Sequence, residues 1–133
     1  MKKYLVLLLF SLFIIPCLSQ KIDSSWLGTY HLYLKGGKIG GINVGWSYDL
    51  IIKPDSIIFS ESGYQLHRLS LLKINASYPD SLIVDFDKKL DGFSTYNHSF
   101  LKLVKNNNNY YLKGIENLEA GAESTDLQKM KKD

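Results

Sequence analysis

The stretch Trp26–Lys35 (Trp-Leu-Gly-Thr-Tyr-His-Leu-Tyr-Leu-Lys) decides the fold, because it has the pattern of a first strand that the rest of the chain continues. Its apolar residues alternate from Tyr30 to Leu34, which places them on one face of an extended chain. Trp26 and Gly28 precede Tyr30, an arrangement that predicts a large ring closing one end of a small barrel. The glycine would let the backbone pass close to that ring. An ordinary first strand with a buried aromatic side chain is the alternative.

Residues 1–19 have the composition of a secretory signal peptide. Lys2 and Lys3 precede the apolar run Tyr4–Ile15, and Pro16 interrupts that run before a group of small residues. The run is shorter than the about 20 apolar residues that a membrane span needs. We therefore expect a secreted or periplasmic protein with residues 20–133 as a single domain and no transmembrane span after signal removal. A retained N-terminal anchor is the alternative.

Cys17 is the only cysteine in the chain. Cleavage between Ser19 and Gln20 would leave a mature chain without cysteine, so no disulfide could brace it and stability would come from the core. Acylation of Cys17, as in a bacterial lipoprotein, is the alternative, although Pro16 directly before it is a poor match for that processing site.

The size and charge of the mature chain limit its class. Its 114 residues suffice for one domain with one core. Without Lys2 and Lys3, 14 basic residues stand against 13 acidic ones, a net charge of +1. Arg68 is the only arginine, and no basic run is interleaved with aromatic residues along the sequence. Nucleic-acid binding is therefore not expected.

Alternating apolar positions and turn signals divide the mature chain into strands. The predicted strands are Trp26–Lys35, Val44–Lys53, Ile57–Glu61, Tyr64–Ala76, Leu82–Asp87, Phe93–Lys105, Tyr110–Ile115 and Ser124–Lys131. The predicted connections are the glycine-rich loop Gly36–Gly41, the turns Lys53–Ser56, Ser62–Gly63 and Tyr78–Ser81, the polar loop Lys88–Gly92 and the hairpin tip Asn106–Asn109.

Two of these segments keep an alternative. The alternation in Tyr64–Ala76 is interrupted, which favours a bent strand with a bulge near Ser70, although a helical segment would also fit. Thr125 and Gln128 have the spacing of a helix capping box, so the last segment could be a short helix instead of a closing strand.

This element order predicts an all-β fold, a roughly eight-stranded antiparallel up-and-down barrel of the lipocalin-like type. That strand number closes around an interior that side chains or one small ligand can fill. Closure also removes the exposed edges that an open sheet of this length would present.

Several motifs carry a family resemblance, and they occur in a constant order along the chain. They are Trp26-x-Gly28-x-Tyr30, the glycine-rich loop, Tyr48–Ile52, Gly63–Gln65, Asp80–Val84 and Tyr110–Gly114. Together they resemble an uncharacterised family of small secreted lipocalin-like proteins of Bacteroidota-type bacteria. The resemblance spans nearly the whole mature chain and implies a barrel, but it implies no substrate and no catalytic residues.

Four residues are candidates for contact with a ligand. The alternation Val44–Ile52 directs Trp46 and Tyr48 to the inner face without a bulge, and Tyr64 and Arg68 share one face of the fourth strand. An inward arginine would need an anionic or carbonyl partner. Trp26, Gly28 and Tyr30 are instead candidates for a structural plug at one end.

No metal, cofactor or catalytic group is predicted. His31, His67 and His98 lack the spacing of a metal site, and scattered surface histidines are expected. The aspartates Asp85, Asp87 and Asp91 lack the rest of a calcium-binding loop. The chain is not assigned as an enzyme, because no nucleophile or acid–base pair can be assembled from spacing.

The sequence thus favours a secreted small barrel that binds a small apolar or amphipathic ligand. A secreted inhibitor or interaction module with a packed barrel is the alternative, and an enzyme built in the barrel cup is a further one. Trp26 at the start of the first strand and the Gly36–Gly41 loop after it would lie at opposite ends, so a ligand would enter at the loop end. An open interior of about 300 Å³ would favour the carrier, and a packed one the interaction module.

Overall fold

The computed structural model describes residues 21–92, 100–114 and 128–133. A short 3-10 turn, Ser24–Trp26, precedes eight antiparallel strands that close into a barrel in sequence order. The strands are β1 Gly28–Ile39, β2 Ile42–Ile52, β3 Ile57–Gly63, β4 Leu66–Ser77, β5 Ser81–Gly92, β6 Phe100–Asn106, β7 Asn109–Lys113 and β8 Gln128–Lys132. The all-β, eight-stranded antiparallel barrel expected from the sequence is thereby confirmed.

The first hairpin is longer than its glycine content predicts. β1 continues to Ile39, and only Gly40 and Gly41 form the turn, with φ of 57° and 83°. Positive φ at both central residues is the type I′ geometry that suits a two-residue hairpin. The prediction of a loop over Gly36–Gly41 is therefore wrong, because the strand resumes its pairing at Lys38 after a register shift that takes up the two preceding glycines.

The polar segment Lys88–Gly92, predicted as a loop, is also strand. β5 runs through it, and the backbone pairs with β4 across two register shifts, so that Ser70 lies opposite Lys89 and Leu71 opposite Lys88. Charged residues are tolerated here because Lys88, Lys89 and Asp91 are all exposed to solvent. The bulge expected near Ser70 is confirmed in position, but the additional residue, Leu90, belongs to β5.

The remaining element predictions are answered only in part. β8 confirms a closing strand over Gln128–Lys132. Four sequence predictions lie wholly or partly outside the described residues: the signal peptide 1–19, the start of the predicted strand Phe93–Lys105, residue Ile115, and residues 124–127.

The side chains of β4 alternate between the inside and the outside of the barrel without interruption. On β4 the buried residues are Leu66, Arg68, Ser70 and Leu72, so the interruption seen in the sequence arises from polar residues on the inner face and not from a change of face. A strand, and not a helix, is formed there. Among the described residues no helix is both long and apolar enough to cross a membrane.

Trp26 and Tyr30 lie at the end of the barrel where β1 begins. Both are buried, and the Tyr30 hydroxyl donates a hydrogen bond of 2.8 Å to the carbonyl oxygen of Trp26. Gly28, with φ of 138°, lies against the last strand, because a Cβ there would stand 2.8 Å from Cε of Lys132. The Gly40–Gly41 turn lies at the opposite end, as the antiparallel order requires.

Candidate functional site

A row of three polar side chains crosses the inner face of the barrel. Tyr48 on β2 lies directly opposite Glu61 on β3, and Glu61 lies directly opposite Arg68 on β4. Each occupies an inward position of its strand, and their exposures are 0%, 2% and 2%. Two charged groups and a phenol are thus held together inside an otherwise apolar wall. We refer to Tyr48, Glu61 and Arg68 as the polar row.

The charge of Arg68 is compensated within the barrel. Its Nε lies 3.4 Å from Oε2 of Glu61 and donates a 3.3 Å hydrogen bond to Oγ of Ser70. The guanidinium carbon also lies 4.3 Å from the centre of the Phe86 ring, a cation–π arrangement. A buried charge that is paired and stacked in this way is tolerated, whereas an isolated one would not be.

Two hydrogen-bond donors of the polar row have no acceptor among the described residues. The Tyr48 hydroxyl and Nη2 of Arg68 are buried and make no hydrogen bond to any part of the chain that the structure describes. Leaving such a group unsatisfied costs about 1–3 kcal/mol, and native proteins contain few of them. These two donors are therefore the strongest chemical signal in the interior.

The Tyr48 hydroxyl remains protonated at ordinary pH. Burial, and secondarily the nearby charge of Glu61, raises the pKa of the Tyr48 phenol. Its ring is stacked on Phe59, with the ring centres 6.0 Å apart. Tyr48 thus presents a fixed, neutral hydroxyl that can donate a hydrogen bond.

Trp46 covers the polar row on the side of the Gly40–Gly41 turn. It precedes Tyr48 by one inward position on β2, lies opposite Gly63, and is 3% exposed. Its Nε1 donates a 3.2 Å hydrogen bond to the carbonyl oxygen of Tyr64. Gly36 and Gly63 make room for the indole, since a Cβ on Gly36 would stand 2.5 Å from Cζ3 of Trp46.

The middle of the barrel is filled by side chains. Four inward residues from different strands have no surface that a water-sized sphere can reach: Leu50, Phe59, Leu103 and Leu112. A depression of about 290 Å³ lies at the end bearing Trp26, between Ile22, the Pro54–Ile57 turn and Leu72–Ile74. A second open depression, of about 470 Å³, is lined by Asn108–Tyr110 on the β7 side and by Lys129–Lys132 on β8.

The structure brings three of the four sequence-predicted ligand residues together. Trp46, Tyr48 and Arg68 are inward neighbours, and the expectation that Trp46 and Tyr48 share a face is confirmed. The prediction that Tyr64 shares a face with Arg68 is wrong. Tyr64 lies in the β3–β4 turn and is 43% exposed, because alternation does not continue through a turn. Only its backbone carbonyl reaches Trp46.

Three residues of this region, Glu61, Ser70 and Phe86, are not among those predicted from the sequence. Glu61 was identifiable, since it continues the inward alternation of Ile57 and Phe59 on β3. Ser70 was identifiable in the same way, because it follows Arg68 by two residues on β4 and so shares its face. Phe86 lies on β5 and reaches Arg68 through the packing of β4 against β5, for which the sequence contains no local signal.

The histidines take surface roles. His31 contacts Asp49 through Nδ1 and Asp133 through Nε2, the second at 2.9 Å, and His67 lies 3.6 Å from Asp91. His98 lies outside the described residues. Within residues 21–92, 100–114 and 128–133 no group of three or more histidine, cysteine or acidic residues is arranged to hold a metal ion.

The fold and this site define the chain as a closed, eight-stranded antiparallel β-barrel with an ionic row in its core. Comparison with protein-family models, with curated proteins and with solved structures gave no match.

Proposed function

We propose that this protein is an exported, lipocalin-like barrel that binds a small amphipathic ligand at the polar row. The observation that supports this function is the pair of buried donors, the Tyr48 hydroxyl and Nη2 of Arg68, for which the described part of the chain supplies no acceptor. A ligand oxygen placed between them would satisfy both groups. The export signal and the family resemblance described above are part of the same proposal.

The charge balance of the polar row favours an uncharged head on the ligand. Arg68 is already paired with Glu61, and the Tyr48 hydroxyl is neutral, so the row has no excess positive charge. A carboxylate head would also stand close to the buried charge of Glu61, and like charges repel strongly where water is excluded. A carbonyl or hydroxyl oxygen on an apolar body fits the row better.

The ligand enters at the end that carries the Gly40–Gly41 turn. Trp46 is the last large inward side chain on that side of the polar row, while Trp26 and Tyr30 occupy the other end. Because the interior is packed around the row, binding requires that Trp46 be displaced from Gly36. The ligand is accordingly small.

A titration that follows the Trp46 indole N–H by NMR tests this function. The panel pairs each small neutral compound with its acid: an aromatic aldehyde with the aromatic acid, and a short-chain alcohol with the short-chain acid. We expect the neutral member of at least one pair to shift the Trp46 signal more strongly than the acid.

Two matched variants identify the donor. Tyr48→Phe removes only a hydroxyl that makes no hydrogen bond within the described part of the chain. It should weaken binding by about tenfold, the effect of one hydrogen bond, without loss of stability. Tyr33→Phe removes a hydroxyl from a residue that is 62% exposed and should change nothing. If no compound shifts the Trp46 signal, the ligand-binding function is wrong.

A packed interaction module is the second candidate function. It is supported by the tip of the first hairpin, where Ile39 and Ile42 face each other beside the turn and are 42% and 71% exposed. Exposed apolar pairs of this kind are typical of surfaces that contact another protein. Replacing both isoleucines by serine would abolish capture of such a protein partner and leave the ligand titration unchanged.

A further inference from the structure

The charges of the barrel are distributed unevenly around its wall. Strands β6, β7 and β8 contain six lysines and no aspartate or glutamate. The lysines are Lys102, Lys105, Lys113, Lys129, Lys131 and Lys132. Three neighbouring strands of a barrel whose mature chain is close to neutral are therefore strongly basic.

Alternation sends four of these lysines to the outer surface. Leu101, Leu103, Leu112 and Met130 are buried inside, so Lys102, Lys113, Lys129 and Lys131 point outward. Lys132 is used differently: its Nζ lies 5.0 Å from the ring centres of both Tyr30 and Tyr110.

The strand register places the outward lysines beside a tyrosine. Lys102 lies directly opposite Lys113, and Tyr111 lies directly opposite Lys129. We refer to Lys102, Tyr111, Lys113 and Lys129 as the lysine face. Like charges directly opposite each other on a sheet destabilise it, so this arrangement does not serve folding.

No carboxylate of the described residues neutralises the lysine face. Lys131, which adjoins it on β8, has Nζ 3.2 Å from Oδ1 of Asp133, but Lys102, Lys113 and Lys129 make no ion pair within the described part of the chain.

We propose that the lysine face binds a linear acidic polysaccharide. Adjacent strands are about 4.8 Å apart, and the lysines on three successive strands form a diagonal row, with Lys102 opposite Lys113 and Lys129 opposite Tyr111. Such a row suits a chain with regularly repeated carboxylate or sulfate groups. Tyr111, half-buried in the middle of the row, offers a flat ring face against which a sugar ring can pack. This inference does not depend on the interior ligand, because the lysine face and the polar row lie on opposite sides of the wall.

Two other polyanions fit this face less well. Single-stranded nucleic acid is bound by successive aromatic side chains on which bases stack, and the lysine face has one. A membrane surface is bound by apolar side chains that enter the lipid, but the exposed Ile39 and Ile42 belong to β1 and β2, away from the lysine face.

Binding of fluorescently labelled alginate and heparin to the exported protein, measured by anisotropy, tests the proposal, with dextran as the uncharged control. We expect alginate or heparin to bind at low salt and to dissociate as salt is raised, because the charges on the face are exposed and screened. The triple variant K102Q/K113Q/K129Q should bind about 100-fold more weakly, since each lysine beside an anionic surface contributes about fivefold.

The matched control removes the same charge from another part of the barrel. Lys38, Lys53 and Lys88 are exposed on or beside β1, β2 and β5, and K38Q/K53Q/K88Q should retain most of the affinity. Tyr111→Thr should weaken binding without changing its dependence on salt.

Three outcomes would overturn the proposal. The first is an equal loss of affinity in both triple variants, which would indicate an effect of net charge alone. The second is tighter binding to single-stranded DNA or to anionic phospholipid vesicles than to either polysaccharide. The third is absence of polysaccharide binding together with a loss of stability in K102Q/K113Q/K129Q, which would mean that the lysines neutralise carboxylates of the chain itself.

Discussion

Individual glycines in this barrel are placed for packing. Gly36 lies against the Trp46 ring, and a Cβ there would stand 2.5 Å from Cζ3 and 2.8 Å from Cη2 of that ring. Gly37, the next residue, has nothing within 4 Å of the position that a Cβ would take. Of these two adjacent glycines, only Gly36 must lack a side chain for Trp46 to cover the polar row.

This difference predicts opposite effects of alanine at the two positions. Gly36→Ala should lower the free energy of unfolding by about 1–3 kcal/mol through overpacking and shift the Trp46 fluorescence. Gly37→Ala, at a position without positive φ, should raise it by about 0.4–1 kcal/mol by restricting the unfolded chain. Urea unfolding of both variants measures the contrast, and equal effects would show that Trp46 does not rest on Gly36.

At the scale of elements, β3 and β4 are joined through the barrel interior as well as through their backbones. Glu61 and Arg68 lie opposite each other on these strands, and both are 2% exposed. A buried ion pair offsets the cost of removing both charges from water only when both partners are present. The pair therefore makes the alignment of β3 with β4 specific: a shift by one residue would leave both charges without a partner.

Single and double replacement of this pair should have very different costs. Arg68→Met alone should lower the free energy of unfolding by about 3–5 kcal/mol, because the Glu61 carboxyl would be left buried without the guanidinium that compensates it. The double variant E61M/R68M should recover most of that loss, since two apolar side chains fill the same space. Urea unfolding of the two single variants and the double variant forms the required cycle. Additive losses would mean that the two side chains are not coupled.

At the scale of the whole molecule, barrel closure depends on a short seam between β1 and β8. The seam contains two register pairs, Tyr30 with Lys132 and His31 with Lys131. His31 strengthens it from the outer side, because it contacts Asp49 on β2 and Asp133 beyond β8. One imidazole thus links the first hairpin to the end of the chain.

The seam should therefore be more stable at mildly acidic than at alkaline pH. The hydrogen bond to Asp49, with a smaller contribution from Asp133, raises the pKa of His31 above its ordinary value of 6.5. A raised pKa in the folded state means that the stabilisation is complete below pH 6.5 and is lost as pH rises through the higher folded value. Asp133 does not oppose this trend, since Lys131 and then His31 lower the pKa of its carboxyl group below 3.8.

Unfolding in urea at about pH 6 and about pH 9 measures this effect as a difference between the native protein and His31→Gln. The native protein should lose more stability than the variant on going to the higher pH, and the loss should be modest because the side chains are partly exposed. His67→Gln is the control, since His67 lies on β4, away from the seam. Identical pH profiles for the native protein and His31→Gln would contradict the prediction.

Much of the fold could be predicted because strand periodicity is local. Alternation over Val44–Ile52 was sufficient to place Trp46 and Tyr48 inside. The interrupted alternation of Tyr64–Ala76 left the face of Arg68 open, and the structure places Arg68 inside. The errors have local causes too. Tyr64 was assigned to a face although a turn interrupts the strand, and Lys88–Gly92 was assigned to a loop because its residues are polar.

The sequence by itself determined the strand count, the barrel and the inward direction of individual side chains, since each follows from the two-residue period of an extended chain. Only the tertiary structure decided which residues meet. That Glu61 faces Arg68, that Gly36 receives the Trp46 ring, and that Lys102 lies beside Lys113 all depend on the register between neighbouring strands. Register is fixed by hydrogen bonds and packing around the whole barrel, and a shift of one residue would reverse the face of every side chain on a strand.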